Sequence, residues 1–292
     1  MGSLIGHVVP GFAFLLLGLW HLFNHIKLHS LHPKSYKSTT WFPSPKIKYL
    51  ELFFIMLGSS ISIAMELFIG PIKHHPFDSD GTIPSNHLHN FEHATISLTF
   101  FTYAAFTILL DRNCCKSQHA LAHFLGAIAF TEEFLLFHLH SKLIILVSLT
   151  TTILGICLPK SFMVSFVRSG SVFFQGVWLI MIGLMLWNPK YIPKACFLHY
   201  EEGHQVVRCH EEEALHRAKS LVNIEFSWFL VGITIFLVFL YVVLEKHYGE
   251  QVDYGKLSGK DEYSDDSYEP QEEAKAGITK SFIGFASIDI ER

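Results

Sequence analysis

The chain has 292 residues and a formal net charge of −4, and only 16% of its residues are charged, against about a quarter in soluble domains. This charge balance, without a basic stripe, excludes nucleic acid as a partner. Half of the residues are hydrophobic, and they gather in long blocks that suit membrane-spanning helices and lack the alternation of barrel strands.

Seven apolar blocks predict an all-α polytopic membrane protein, a bundle of about seven transmembrane helices. The first block begins almost at once, without the basic region and cleavage site of a signal peptide, so it is predicted to be a retained helix. The fifth block is the shortest, and no internal repeat is visible. The predicted spans are residues 4–25, 49–70, 87–110, 119–139, 143–159, 165–187 and 220–245.

The chain is predicted to form one membrane domain, residues 1–247, followed by an acidic tail, residues 248–292. From Lys246 onward, eleven Asp and Glu residues outnumber six Lys and Arg residues. A segment of this composition buries too little apolar surface to fold, so the tail is predicted to be disordered and cytosolic.

Basic residues in short loops predict the orientation in the membrane. The first connection between spans contains five lysines and no acidic residue, and the third and fifth connections are also basic. These connections are therefore predicted to be cytosolic, with the N-terminus outside or lumenal and the C-terminus cytosolic, in the plasma membrane or an endomembrane. The sixth connection is an exception, because it places several basic residues on the outer side.

Ionisable side chains at membrane depth are costly, and each needs an explanation. When the predicted helices are laid antiparallel, such residues from at least five helices fall in the outer half of the bundle. Imidazole and carboxylate groups are typical ligands of zinc. The predicted metal ligands are His7, Glu66, His93, Glu132, His138 and His140. The other residues of this predicted polar site are His89, Glu92, Gln175 and Glu225.

Other histidines, cysteines and small residues have simpler interpretations. His21 and His25 lie at the cytosolic end of the first span and are interpreted as interfacial side chains that reach water. Cys196 and Cys209 suit a disulfide if their loop is lumenal, with a zinc site of Cys196, His199, Cys209 and His210 as the alternative. Small residues typical of close helix packing are Gly11, Gly18, Gly58, Gly176 and Gly183.

Several short motifs carry a resemblance to a known family. They are Gly6-His7-Val8-Val9-Pro10-Gly11, Phe14, Gly18-Leu19-Trp20, Glu66, His93, Glu132, His138-Leu139-His140 and Gln175-Gly176-Val177-Trp178. Over residues 1–245 the chain resembles the transmembrane protein 45 family, also called the domain-of-unknown-function 716 group, some plant members of which are described as related to the response to tobacco mosaic virus. Animal members look to have two adjacent histidines where this chain has Glu92 and His93.

The resemblance implies a seven-helix membrane protein whose polar layout is similar to that of membrane hydrolases with intramembrane zinc, and it brings no settled activity. The leading hypothesis is a zinc site that hydrolyses a lipid substrate, with a carboxylate as the base. A transporter or proton-coupled carrier is the second, ranked lower because the cytosolic halves of the second, fourth and fifth spans offer few polar groups. The third is a non-catalytic scaffold in stress or defence responses. Whether the chain is an enzyme, and its oligomeric state, stay open at this point.

Overall fold

The computed structural model describes residues 4–70, 76–84, 87–113, 115–136, 142–201 and 204–258. Within these ranges the chain forms seven α-helices and one β-hairpin. The helices are α1 (Leu4–Leu31), α2 (Leu50–Ala64), α3 (Leu88–Arg112), α4 (Gln118–Leu136), α5 (Lys142–Cys157), α6 (Phe162–Trp187) and α7 (Glu212–Ser258). The helical architecture predicted from the apolar blocks is confirmed, and most helix limits agree within a few residues.

Some limits differ from the predicted ones. Helix α1 continues to Leu31, and α7 both begins before residue 220 and continues past residue 248, where the tail was predicted to begin. By internal contacts the first compact unit of the chain ends at Val252, within α7. The predicted disorder after residue 258 concerns residues outside the described ranges and stays a prediction.

Five helices are long and apolar enough to cross a membrane, among the residues that the structure describes. They are Leu4–Leu31, Leu50–Ile69, Leu88–Arg112, Phe162–Trp187 and Glu212–Gly249. Helix α5 is apolar but has 16 residues, which span only about 24 Å at 1.5 Å per residue. Helix α4 carries two histidines and two glutamates, which lower its hydropathy. These helices are consistent with an integral membrane protein, and the seven crossings predicted from the sequence stay a prediction.

The outward surface of the bundle is apolar. On α7, Trp228, Ile235 and Phe239 are 72%, 65% and 66% exposed, and α2 exposes Phe54 and Ile61 in the same way. Soluble proteins rarely expose contiguous apolar surface of this extent. Such faces are typical of helices that contact lipid.

Contacts between neighbouring helices show that consecutive helices run in opposite directions. Lys48, just before α2, pairs with Asp111 near the end of α3, and Ser97 of α3 bonds to Ser62 late in α2. Helices α1, α3 and α5 end, and helices α2, α4 and α6 begin, at the same end of the bundle. We call it the inner end, because the predicted orientation places it on the cytosolic side. The opposite end is the outer end.

Helices α1 and α6 approach each other closely through glycines. A Cβ atom on Gly18 would lie 2.3 Å from the backbone nitrogen of Phe173, and one on Gly176 would lie 2.2 Å from that of Leu15. The predicted packing role of these two glycines is therefore confirmed. For Gly58 the prediction is wrong, because a Cβ atom there would meet nothing within 4 Å.

A β-hairpin follows α6 at the outer end. Its strands, β1 (Cys196–Glu201) and β2 (His204–Cys209), pair antiparallel with Cys196 opposite Cys209. The two sulfurs form a disulfide. Bonded sulfurs do not provide the thiolates that the alternative zinc site would need.

Candidate functional site

Glu66 occupies an irregular turn at the outer end of α2. The helix ends in a π-helical turn, Met65–Ile69, closed by a bond from the Gly70 nitrogen to the Met65 carbonyl. Such turns change the direction of a side chain and are frequent at functional sites. Here the turn directs Glu66 inward, where the residue is only 3% exposed.

Two residues of α3 contact the Glu66 carboxylate. Asn90 donates from Nδ2 to Oε2 at 2.8 Å, and His93 Nδ1 lies 3.7 Å from Oε1. The structure thus brings together two of the predicted metal ligands, Glu66 and His93. Asn90 was missed, although its position three residues before His93 places it on the same helix face.

The other predicted residues of α1 and α3 lie elsewhere at the outer end. His89 and Glu92 form an exposed pair with 2.8 Å between Nδ1 and Oε2, and the side chain of His89 is 81% exposed. His7 packs against Trp187 of α6, with 4.5 Å between ring centroids. The interfacial position of His89 explains its polar character without a ligand.

Glu133, not the predicted Glu132, is the acidic residue of α4 that faces the interior. Glu133 is 1% exposed and accepts a hydrogen bond from Nε2 of the predicted Gln175, whereas Glu132 is half-buried. The predicted Glu225 of α7 is half-buried with a buried Oε2. Adjacent helical residues point about 100° apart, so only one of two neighbouring glutamates can face the bundle interior.

The predicted zinc ligands do not form one cluster in the described part of the chain. No three His, Cys, Asp or Glu side chains there come close enough together to hold a metal ion. His138 and His140 lie outside the described residues, and zinc binding stays a prediction.

A second polar group, not predicted from the sequence, lies at the inner end around Arg168 of α6. Arg168 is 7% exposed, and its guanidinium donates to His123 Nε2 at 2.7 Å and to the Thr39 carbonyl at 2.9 Å. A longer contact of 3.4 Å joins it to Ser38 Oγ. All of these partners are neutral acceptors, and no ion pair of the described residues includes Arg168.

His123 of α4 holds the guanidinium in place. Its Nδ1 bonds to the His119 carbonyl at 2.9 Å, which assigns the ring proton to Nδ1 and leaves Nε2 as the acceptor for Arg168. Gly155 of α5 leaves room for both side chains, because a Cβ atom there would lie 2.6 Å from the His123 ring and 3.0 Å from the Arg168 guanidinium. His123 is therefore a positioning residue for Arg168.

Glu51, in the first turn of α2, is buried near the same end. Its carboxylate accepts from Trp20 Nε1 at 3.1 Å, from the Phe42 backbone nitrogen at 2.9 Å and from His21 Nε2 at 2.7 Å. Three donors therefore stabilise the buried Glu51 carboxylate by hydrogen bonds.

The interpretation of His25 as a side chain that reaches water is wrong, and the His21 side chain is only 12% exposed. His25 is completely buried and its Nδ1 bonds to the Tyr36 hydroxyl at 2.9 Å. Burial raises the pKa of Tyr36 to about 12, so the hydroxyl stays protonated at neutral pH. The histidines are covered because the connection after α1 folds back over the inner end.

That connection, residues 32–49, is attached to several helices. The Ser38 nitrogen donates to the Pro159 carbonyl at 2.7 Å, and the Ser38 carbonyl accepts from His119 Nε2 at 2.8 Å. Tyr103 of α3 donates to the Thr40 carbonyl at 2.7 Å. The connection therefore forms a fixed floor at the inner end of the bundle.

A cavity of about 80 Å³ lies directly beside this floor, among α1 to α6. Its inner wall is polar and contains His21, Glu51, His123 and Arg168. Its other walls are mostly apolar and include Phe14, Leu17, Ile55, Phe100, Phe130 and Val172. The cavity thus has one end that carries the Arg168 guanidinium and the Glu51 carboxylate, with hydrocarbon and aromatic surface beyond it.

Part of the chain matches the model of a known family. The model of a family of unknown function, DUF716, matches residues 119–242. The matched stretch runs from α4 into α7 and includes His123, Glu133, Arg168 and Gln175. The match supports the resemblance to that group, and it assigns no activity. The narrower likeness to the transmembrane protein 45 family and its plant members stays a prediction.

Proposed function

We propose that all seven helices cross the membrane, with the N-terminus outside or lumenal and the inner end of the bundle in the cytosol. The alternating direction of consecutive helices supports this, and so do the lysines before α2. The disulfide of the hairpin also supports it, because disulfides persist in oxidising compartments. Helix α4 is less apolar than a helix that crosses a membrane alone, because it carries polar residues that are buried inside the bundle.

Thiol labelling tests this orientation. In sealed cytosolic-side-out microsomes, with Cys114 and Cys115 replaced by serine, a membrane-impermeant maleimide should label the exposed Cys157 at the inner end. Cys196 and Cys209 should react only after the membrane is permeabilised and the disulfide is reduced. Protection of Cys157 in the sealed vesicles would reverse the proposed orientation.

The cavity beside Arg168 is proposed to bind the anionic group, a carboxylate or a phosphate, of a small amphipathic molecule. The carrying observation is a buried guanidinium at the cavity wall whose protein partners are all neutral. A buried charge without a counter-charge is costly. Glu51 lines the same cavity and its charge acts on Arg168, but three hydrogen-bond donors already hold its carboxylate and it forms no direct ion pair with the guanidinium among the described residues.

The chemistry of the cavity matches this class of ligand. A guanidinium has five N–H donors that suit the planar geometry of carboxylate and phosphate oxygens. Its three described bonds leave two donors of Arg168 without a partner among the described residues. Beyond Arg168, Leu17, Ile55 and Val172 provide the apolar surface that a hydrocarbon chain would contact.

Calorimetric titration of the purified full-length chain tests the binding, with butyl phosphate and butyrate as probes and butanol as the uncharged control. We expect the two anions to bind and butanol not to. Arg168→Gln should weaken anion binding by roughly 10- to 100-fold, since charge-assisted hydrogen bonds contribute about 1.5–3 kcal/mol.

A matched variant distinguishes anion binding by Arg168 from a structural role of Arg168 in holding residues 38–39. His119 also bonds to Ser38 but does not line the cavity. His119→Gln should therefore keep the affinity for butyl phosphate. Equal losses in Arg168→Gln and His119→Gln, or no binding of either anion by the unmodified chain, would overturn the proposal.

Zinc-dependent lipid hydrolysis at the outer end and a scaffold role stay predictions. The contact between Glu66 and His93 supports the first of them. Metal content of the purified protein, compared with that of His93→Ala, is the measurement that decides whether zinc is bound there.

A further inference from the structure

Three phenylalanines line the outer side of the cavity. Phe100 of α3 contacts Phe14 of α1 and Phe130 of α4 edge to face, with ring centroids 5.6 Å and 5.8 Å apart. All three line the cavity. We call Phe14, Phe100 and Phe130 the aromatic layer.

A buried polar pair lies just beyond the aromatic layer. On α4, Glu133 is three residues after Phe130, and on α6, Gln175 is three residues after Val172, which also lines the cavity. Positions three or four apart share a helix face, so Glu133 and Gln175 continue the cavity-lining faces by three residues, or about 4.5 Å. Their mutual hydrogen bond places both at the same level.

The pair lacks a hydrogen-bond donor. Glu133 and Gln175 are each at most 2% exposed. Their atoms Glu133 Oε2 and Gln175 Oε1 are buried and have no hydrogen-bond partner in the described ranges. An unsatisfied buried oxygen costs about 1–3 kcal/mol. A proton on Glu133 Oε2 would be the missing donor, because the resulting hydroxyl can bond to Gln175 Oε1 while Oε1 of Glu133 accepts from Gln175 Nε2.

We propose that Glu133 is a proton-binding site at the outer side of a proton path that the aromatic layer closes. On the inner side of the layer the cavity presents the titratable His21 and Glu51, together with the paired His123 and Arg168. Rings packed edge to face exclude water, and hydrophobic constrictions of this kind close membrane pathways. Displacement of the rings would join the two polar regions and let protons pass through the bundle.

Proton flux into liposomes containing the purified full chain tests this inference, with a trapped pH-sensitive dye and an imposed potential. The unmodified chain should pass protons slowly, and Phe100→Ala and Phe130→Ala should each raise the flux several-fold. The matched control is Phe106→Ala, because Phe106 also lies on α3 but is 51% exposed on the outer surface. Leucine variants at 100 and 130, which retain more packing volume, replace any alanine variant that does not fold.

The double variant Phe130→Ala with Glu133→Gln identifies the proton carrier. Glutamine cannot carry the proton, so the flux should return to the level of Phe106→Ala. The inference is overturned if Phe100→Ala and Phe130→Ala match Phe106→Ala, or if the flux survives Glu133→Gln. It does not depend on anion binding by Arg168, which the calorimetric titration tests separately.

Discussion

Replacing Gly176 by alanine should prevent the chain from forming a stable bundle. The new Cβ atom would lie 2.2 Å from the Leu15 nitrogen and 2.6 Å from the Gly11 carbonyl oxygen, and both are backbone atoms that cannot rotate away. Helices α1 and α6 would have to separate along their closest contact. Overpacking of side chains alone costs about 1–3 kcal/mol, so a backbone clash should cost more, against a typical total stability of about 5–15 kcal/mol.

The yield of monodisperse protein in size-exclusion chromatography, before and after heating, measures this effect. Gly58→Ala and Gly232→Ala are matched controls, because a Cβ atom at either position meets nothing within 4 Å. Alanine is favoured over glycine in a helix by about 1 kcal/mol, so both controls should be at least as stable as the unmodified chain. Wild-type yield and heat resistance in Gly176→Ala would contradict the close packing of α1 and α6.

The sequence was sufficient to locate the helices because a lipid environment requires long apolar runs. It was also sufficient to match Glu66 with His93, since antiparallel helices place these residues at one depth. The depth of a residue in the membrane does not, however, determine which way its side chain points around the helix axis. For this reason Glu132 was predicted as a site residue, whereas Glu133 is the one that faces the interior. The π-helical turn at Met65–Ile69 has no sequence signature.

The inner polar group was missed for a different reason. Glu51 and Arg168 lie within a few residues of the predicted span limits, where charged side chains are usually exposed to water. Only the path of residues 32–49 over the inner end buries them, and that path depends on tertiary contacts of Ser38, Thr39 and Thr40. The prediction that the cytosolic halves of the second and fourth spans offer few polar groups is wrong, because they contain Glu51 and His123.

The buried polar residues of the inner half remove the reason for which the carrier hypothesis was ranked second. A path across the membrane needs polar groups in both halves of the bundle, and the inner half now has them. The outer half has Glu133 and Gln175, separated from the inner group by the aromatic layer. This arrangement is the basis of the proton path proposed above.

Glu51→Ala should strongly destabilise the inner end of the bundle. It would leave the Trp20 indole, the His21 ring and the Phe42 backbone nitrogen without their common acceptor. An unsatisfied buried donor costs about 1–3 kcal/mol, so three of them together should cost about 3 kcal/mol or more. The connection of residues 32–49 should then detach, because Phe42 is held to α2 through this carboxylate.

Thermal unfolding of the purified chain and limited proteolysis within residues 32–49 measure the two parts of this expectation. Glu51→Ala should lower the melting temperature and make the connection a cleavage site. Glu92→Ala is the matched control, since among the described residues Glu92 pairs with the exposed His89 and surface pairs contribute about 0–1 kcal/mol. If Glu51→Ala and Glu92→Ala melt alike and residues 32–49 stay resistant, Glu51 does not hold the floor of the cavity, and the stabilisation of its carboxylate by three donors loses its support. In that case Arg168 would have a carboxylate available as its counter-charge, and the argument for a bound anion would fail with it.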